Sequence, residues 1–217
     1  LTGFDLEYII LFAREYGYKL EPSTVDFEFI LGSVQTGKYD LAIGGITITD
    51  ERKEILNFTD VYYQSPVVMV TKGYNSETTH LSDLAGKKVG VMTGSIQAVM
   101  MPELVPDAEY MEFNSISDLI AALNSNKIDA FGCDESLYTS MLWEGQAVDR
   151  IDEPIDKSNY GLIFPKGKKL ELQNQVNEFI AEISANGTLK ALEEKWFGAK
   201  EPTEFTSYDN LNGTNGT

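Results

Sequence analysis

The sequence predicts an α/β fold made of two similar lobes, and two observations carry that prediction. Short apolar runs of β character alternate with amphipathic stretches of helical period along most of the 217 residues, which is the pattern of α/β architecture. The chain also echoes itself. Leu31-Gly32-Ser33-Val34-Gln35-Thr36-Gly37-Lys38-Tyr39-Asp40-Leu41 lines up with Ile120-Ala121-Ala122-Leu123-Asn124-Ser125-Asn126-Lys127-Ile128-Asp129-Ala130. Each copy reads as the end of an amphipathic helix, a polar turn, then Lys-apolar-Asp entering a buried strand. In this register Gly45 falls opposite Asp134, so one strand end offers backbone and the other a carboxylate. Any helix–turn–strand unit has this look, so the echo supports paired lobes rather than a shared site.

The elements follow in order. Leu6, Ile10, Ala13 and Tyr16 recur at helical spacing after Asp5, read as an N-cap, and Gly17 is a plausible stop. Residues 18–21 predict a short strand, 29–35 a helix, and 39–43 a strand. Residues 67–71 predict a strand leaving the first lobe. Another strand at 89–92 leads into Thr93-Gly94-Ser95 and a helix to Met101. Ser115 with Asp118 has the form of a capping box and opens a helix through Leu123. A strand at 128–132, a helix at 135–142 and a strand at 160–164 come next. Val176, Phe179, Ile180 and Ile183 line one face of a helix that Asn186-Gly187 ends, and Leu189, Leu192 and Trp196 line the last helix.

Composition excludes several functions. The chain carries 34 acidic and 17 basic residues, a formal charge of −17, which argues against nucleic-acid binding and against docking on anionic lipid. Its 42% hydrophobic content is enough for a proper core. Cys133 is the only cysteine, so no intramolecular disulfide is possible. With one cysteine and one histidine, His80, zinc sites and Ser-His-Asp triads have too few residues to draw on. No P-loop or dinucleotide fingerprint occurs, so no cofactor or metal is expected. No run of 18 apolar residues is present to span a membrane. Asn-x-Thr sequons stand at Asn57, Asn186, Asn212 and Asn215; they matter only where the source glycosylates.

The most informative stretch is residues 44–52, Gly-Gly-Ile-Thr-Ile-Thr-Asp-Glu-Arg. A strand that ends in two glycines opens its backbone to close approach. Two threonine hydroxyls follow, then an arginine whose rigid fork of donors matches a carboxylate. Alone, the segment reads equally as a tight turn bearing surface charges.

Six segments in order resemble the bacterial polar-amino-acid-binding proteins of ABC importers, extracellular solute-binding family 3. They are Thr2-Gly3-Phe4-Asp5-Leu6-Glu7, the stretch from Gly45 to Arg52, Phe58-Thr59-Asp60-Val61-Tyr62-Tyr63, Leu81-Ser82-Asp83-Leu84-Ala85-Gly86-Lys87-Lys88-Val89-Gly90-Val91, Tyr160-Gly161-Leu162-Ile163-Phe164-Pro165-Lys166-Gly167, and Lys195-Trp196-Phe197-Gly198. The resemblance implies a two-lobed, type II periplasmic-binding-protein-like α/β fold with two hinge crossings. Lobe 1 would take residues 1–65 and 160–200, lobe 2 residues 66–159, and residues 201–217 would be a tail or linker. In the family a strand precedes the Leu-Thr-Gly-Phe-Asp segment. Here the first strand of lobe 1 is missing from the chain, and the expectation is that an upstream segment, a tandem domain or a second copy supplies it.

The resemblance also implies a ligand: a free L-amino acid held in a cleft between the lobes and handed to ABC permease subunits. Arg52 would pair with its α-carboxylate, aided by Thr47, Gly94, Ser95 and the N–H of Ile96. The Gly45 carbonyl and Asp134 would take the α-ammonium, and Phe27 would sit against the aliphatic part. Met92 and Cys133 occupy positions where relatives place polar groups, hinting at a less polar ligand side chain. The implied location is extracytoplasmic: periplasm, a cell-surface lipoprotein, or a domain fused to a permease. No catalytic residue is implied by this reading. Two alternatives share the fold: a cyclohexadienyl dehydratase acting on prephenate or arogenate, with Asp134 as the acid, and the ligand-binding domain of a sensory receptor.

Overall fold

The computed structural model describes residues 2–73, 78–153 and 155–198, with strands and helices alternating through residues 88–143. The chain opens with α1 (Phe4–Glu15), α2 (Phe27–Gln35), α3 (Asp50–Ile55), β1 (Leu56–Phe58) and β2 (Tyr63–Lys72). After a 3-10 turn at Leu81–Leu84 come β3 (Lys88–Met92), α4 (Gln97–Leu104), β4 (Glu109–Phe113), α5 (Ile116–Asn124), β5 (Ala130–Asp134) and α6 (Glu135–Trp143). Then follow β6 (Val148–Arg150), β7 (Asp156–Tyr160), β8 (Ile163–Pro165), α7 (Leu170–Ala185) and α8 (Thr188–Phe197). The predicted tail, residues 201–217, lies outside the described residues.

The chain divides into two units. Unit 1 holds Leu1–Thr24, Gly32–Tyr63 and the chain from Tyr160 onward; unit 2 holds Val25–Leu31 and Gln64–Asn159. Against the expected lobe bounds the main difference is Val25–Leu31, most of α2 with Phe27, which groups with unit 2.

Unit 1 is built around aromatic rings. Tyr8 of α1 meets Phe179 of α7 edge-on, with centroids 5.5 Å apart, and Phe12 meets the same ring at 5.6 Å. Leu192 and Trp196 of α8 close the same core. α8 is fastened to α1 because Glu7 accepts from Lys195 Nζ at 2.8 and 2.9 Å and from Trp196 Nε1 at 2.7 Å. Charge-assisted bonds of this kind at a core edge fix how two helices pack. β1 and β8 form a two-stranded antiparallel ladder.

Two expected strands of unit 1 are not formed. Residues 39–43 reduce to an isolated bridge, Ala42 with Ile163, and residues 18–21 run as irregular chain. A strand exists only through a ladder, and β8 offers residues 39–43 one bridging position. At residues 18–21 the stacked rings of Phe12 and Tyr18, 5.7 Å apart, hold the chain instead, and Tyr18 Oη donates to Gln175 at 2.7 Å.

Unit 2 is a six-stranded mixed sheet in the order β4-β3-β5-β2-β6, with β7 also pairing β2. β3 runs parallel to β4 and β5, and β2 runs antiparallel to β5 and β6. One face packs Val68, Phe131 and Leu119; the other packs Met69, Val89 and Met101. Gly90 lets α5 lie close on the first face, since a Cβ there would stand 2.5 Å from Leu119 Cδ2.

The internal echo holds to the level of single bonds. Gly37 and Asn126, aligned in the sequence, both take positive φ, 79° and 58°. Lys38 N–H donates to Ser33 at 3.0 Å and Lys127 N–H to Ala122 at 2.8 Å. The Thr36 hydroxyl donates back to Gly32 at 2.9 Å and the Ser125 hydroxyl to Ala121 at 2.8 Å. The same helix exit therefore occurs once in each unit.

Candidate functional site

Each unit carries one cluster of the expected ligand groups. In unit 1 the cluster grows from the end of the Ala42 bridge. Gly45 takes φ 64°, open to glycine at little cost. The next residue, Ile46, is fully buried, and its carbonyl accepts from Gly161 N–H at 3.1 Å, while Thr47 bridges Tyr160. Thr49 then caps α3, its hydroxyl accepting from Arg52 N–H at 3.1 Å. The cap starts the helix so that Arg52 turns back along the chain, and its Nη1 donates to the Thr47 carbonyl at 2.8 Å. Arg52 is only 8% exposed. Burial pulls its pKa down and Glu51 opposes that, yet a guanidinium stays charged in proteins. The surface-charged turn is not what forms at Arg52, which is buried, while the exposed Asp50 pairs with Lys53 at 3.1 Å. A buried cation with a fixed planar fork suits a carboxylate.

Asp5 is the residue that sequence reasoning placed wrongly. The N-cap of α1 is Gly3, and Asp5 lies inside the first turn. Its carboxylate accepts from Tyr62 Oη at 2.8 Å, and the Gly45 backbone acts electrostatically on both groups. Burial pushes this carboxyl up to about 6, against the lowering effect of the Tyr62 bond and the Gly45 backbone. The available signal was an acidic residue between Phe4 and Tyr8, both core positions.

In unit 2 the cluster lies at the ends of β3 and β5. Ser95 N–H donates to Met92 at 3.0 Å, closing a turn in which Gly94 takes φ 76°. Ser95 is buried and its hydroxyl accepts from Ala98 N–H at 3.3 Å, as a cap does, while Ile96 sits at the N-cap position of α4. A Cβ on Gly94 would stand 3.4 Å from the Glu28 Cα, so the first turn of α2, which also carries Phe27, lies beside this turn. Asp134 ends β5 at the N-cap position of α6, 8% exposed, and makes no side-chain capping bond. Side chains alternate along a strand. Gly132 faces Met101 and Gln97 of α4, so Asp134, two residues on, leaves the sheet on the α4 face.

That alternation separates two expected residues from the rest. Cys133 is 2% exposed and packs with Val68 and Phe131 on the opposite face, and the partly buried Met92 joins the same cluster. Burial pushes the Cys133 thiol well above its ordinary value, with the Asp134 charge adding to the effect. Both side chains belong to the unit 2 core and not to the Asp134 face. Gln97, by contrast, went unnoticed in the sequence. It opens α4 at 4% exposure, and its Nε2 makes no hydrogen bond among the described residues. Among those residues no cluster of His, Cys, Asp or Glu suits a metal, and no helix is long and apolar enough to cross a membrane.

Over most of its length the chain is similar to known amino-acid-binding proteins. The arginine-binding extracellular protein ArtP of Bacillus subtilis is 31% identical over 202 residues, covering 91% of this chain and 78% of ArtP. The amino-acid ABC transporter substrate-binding protein AbpA of Streptococcus pneumoniae, solved bound to L-arginine, superposes with a TM-score of 0.84 at 31% identity, covering 90% of this chain and 83% of AbpA. The ancestral amino-acid-binding protein AncCDT-1, a precursor of cyclohexadienyl dehydratase, superposes with a TM-score of 0.83 at 29% identity, covering 90% and 85%. The sequence profile of bacterial extracellular solute-binding proteins, family 3, matches residues 1–199. The chain belongs to that family of extracellular solute-binding proteins.

Proposed function

We propose that this protein binds a free L-amino acid outside the cytoplasm and delivers it to the membrane subunits of an ABC importer. The observation that carries the reading is Arg52: a buried guanidinium in the first turn of α3, oriented by the Thr47 carbonyl. In this reading Arg52 and the Thr47 hydroxyl take the α-carboxylate, with Ser95 and the Ile96 N–H adding donors at a helix start. Asp134 and the Gly45 carbonyl take the α-ammonium. Phe27 covers the aliphatic part, and Gln97, whose Cβ lies against Gly132 of β5, adds an amide. The arginine-binding relatives support a ligand of this class. Removing one partner of such a charge pair costs roughly 2–5 kcal/mol, about 30-fold or more in affinity.

A thermal-shift screen of the twenty amino acids tests this, with prephenate included and Arg52→Ala and Asp134→Ala beside the parent. One or a few amino acids that raise the melting temperature of the parent, and of neither variant, support the reading. Phenylpyruvate released from prephenate would replace it with the dehydratase, for which Asp134 would be the acid. No shift with any amino acid would overturn it.

A further inference from the structure

The first N–H groups of a helix have no partner within it, and an aspartate at the N-cap ordinarily takes one of them with its own carboxylate. Helices α3 and α5 are capped by their own N-cap residues: Thr49 accepts from Arg52 N–H at 3.1 Å, and Ser115 from Asp118 N–H at 3.1 Å. Helix α6 departs from that rule. Asp134 holds its N-cap position in extended backbone, φ −81° and ψ 145°, and makes no side-chain capping bond. The bond comes from β2 instead, where Ser65 Oγ accepts from Ser136 N–H at 3.2 Å. Ser136 is the second residue of α6, within the ordinary reach of an N-cap side chain.

The sheet places Ser65 for this task. Val67 of β2 stands opposite Asp134, so Ser65, two residues back and on the same face, comes level with the first turn of α6. Ser65 is fully buried, and its hydroxyl donates to the Pro66 carbonyl at 3.4 Å, which leaves the oxygen to accept. Glu135, the first residue of α6, is held in turn by Arg150 of β6. We propose that Ser65 is a positioning residue for Asp134: by capping α6 in its place, it keeps the carboxylate from turning into the helix end and so directs it to the ligand's ammonium. The inference rests on the reading of Asp134 as an acceptor for that ammonium.

Two measurements on the whole chain test the proposal. The first is amide exchange of Ser136 without ligand, followed by NMR. Asp134→Ala is expected to leave its protection within about 3-fold of the parent. Ser65→Ala is expected to keep most of it, because the carboxylate then takes over the cap, and the double variant is expected to lose at least ~10-fold. A loss in Asp134→Ala alone, a loss in Ser65→Ala as large as in the double variant, or no loss in the double variant would overturn the proposal. The second is titration with the twenty amino acids by NMR shifts. Ser65→Ala is expected to weaken binding about 5-fold, the size of one helix cap, and to change it less than about 2-fold once Asp134 is alanine. Parent-like affinity in Ser65→Ala, or an equal loss with and without Asp134, would overturn the positioning role. If the parent binds none of the twenty, the functional reading fails, and the exchange data still decide which residue caps α6.

Discussion

Arg52 and Asp5 are both charged groups drawn into a unit by the elements that carry them, and their burial has opposite uses. Arg52 is turned inward by the Thr49 cap and oriented by the Thr47 carbonyl, which sets a planar cation of the kind that suits a carboxylate. Arg52→Lys keeps the charge but loses the fork, and is expected to weaken amino-acid binding by roughly tenfold or more by calorimetry. Asp5 instead lowers stability when ionised. Its pKa rises from an ordinary 3.8 to about 6 in the folded protein, so between those values the folded state binds more protons than the unfolded chain. Stability contributed by the neutral form is complete below about pH 4 and is lost as pH rises through about 6, a change of roughly 2–3 kcal/mol. Asp5→Asn lacks this slope. Its melting temperature relative to the parent is expected to climb by roughly 5–10 °C between about pH 4 and about pH 7, and a flat difference across that range would refute the assignment.

Among the elements, α5 is the one whose start was spelled out most directly. Ser115 accepts from Asp118 N–H at 3.1 Å and its hydroxyl donates to the Asp118 carboxylate at 2.7 Å. Ser115→Ala is expected to cost about 1 kcal/mol, a fall of roughly 2–4 °C in melting temperature. Elements of this kind were legible because their signals are local: apolar period in α7 and α8, a cap in α5, a turn residue at Gly37 and Asn126. Residues 18–21 and 39–43 were misread as strands because pairing is a property of the partner, which local sequence does not carry. The site divides in the same way. The chemistry of residues 44–52 could be read from residue types, whereas the burial of Arg52 could not. The packing of Met92 and Cys133 into the unit 2 core was not legible because which face a strand residue takes depends on register, and Asp5 was misread because a first-turn acid and an N-cap look alike next to Gly3.

At the scale of the whole molecule, family membership and the 31% identity to an arginine-binding relative converge with a chain whose −17 charge suits neither nucleic acid nor anionic lipid. A ligand that binds only the folded protein stabilises it by about 2.7 kcal/mol at 100 times its dissociation constant. For a chain of this size that is a rise of roughly 5–10 °C in melting temperature, which the screen above would register. The most direct test of the central claim is a calorimetric double cycle. The amino acid giving the largest shift, and the amine that remains when its α-carboxylate is removed, are each titrated into the parent and into Arg52→Ala. The account predicts that either change alone weakens binding by about 30-fold or more, and that both together weaken it little further, because they remove the same interaction. Parent-like affinity for the amine, or losses that simply add, would contradict it.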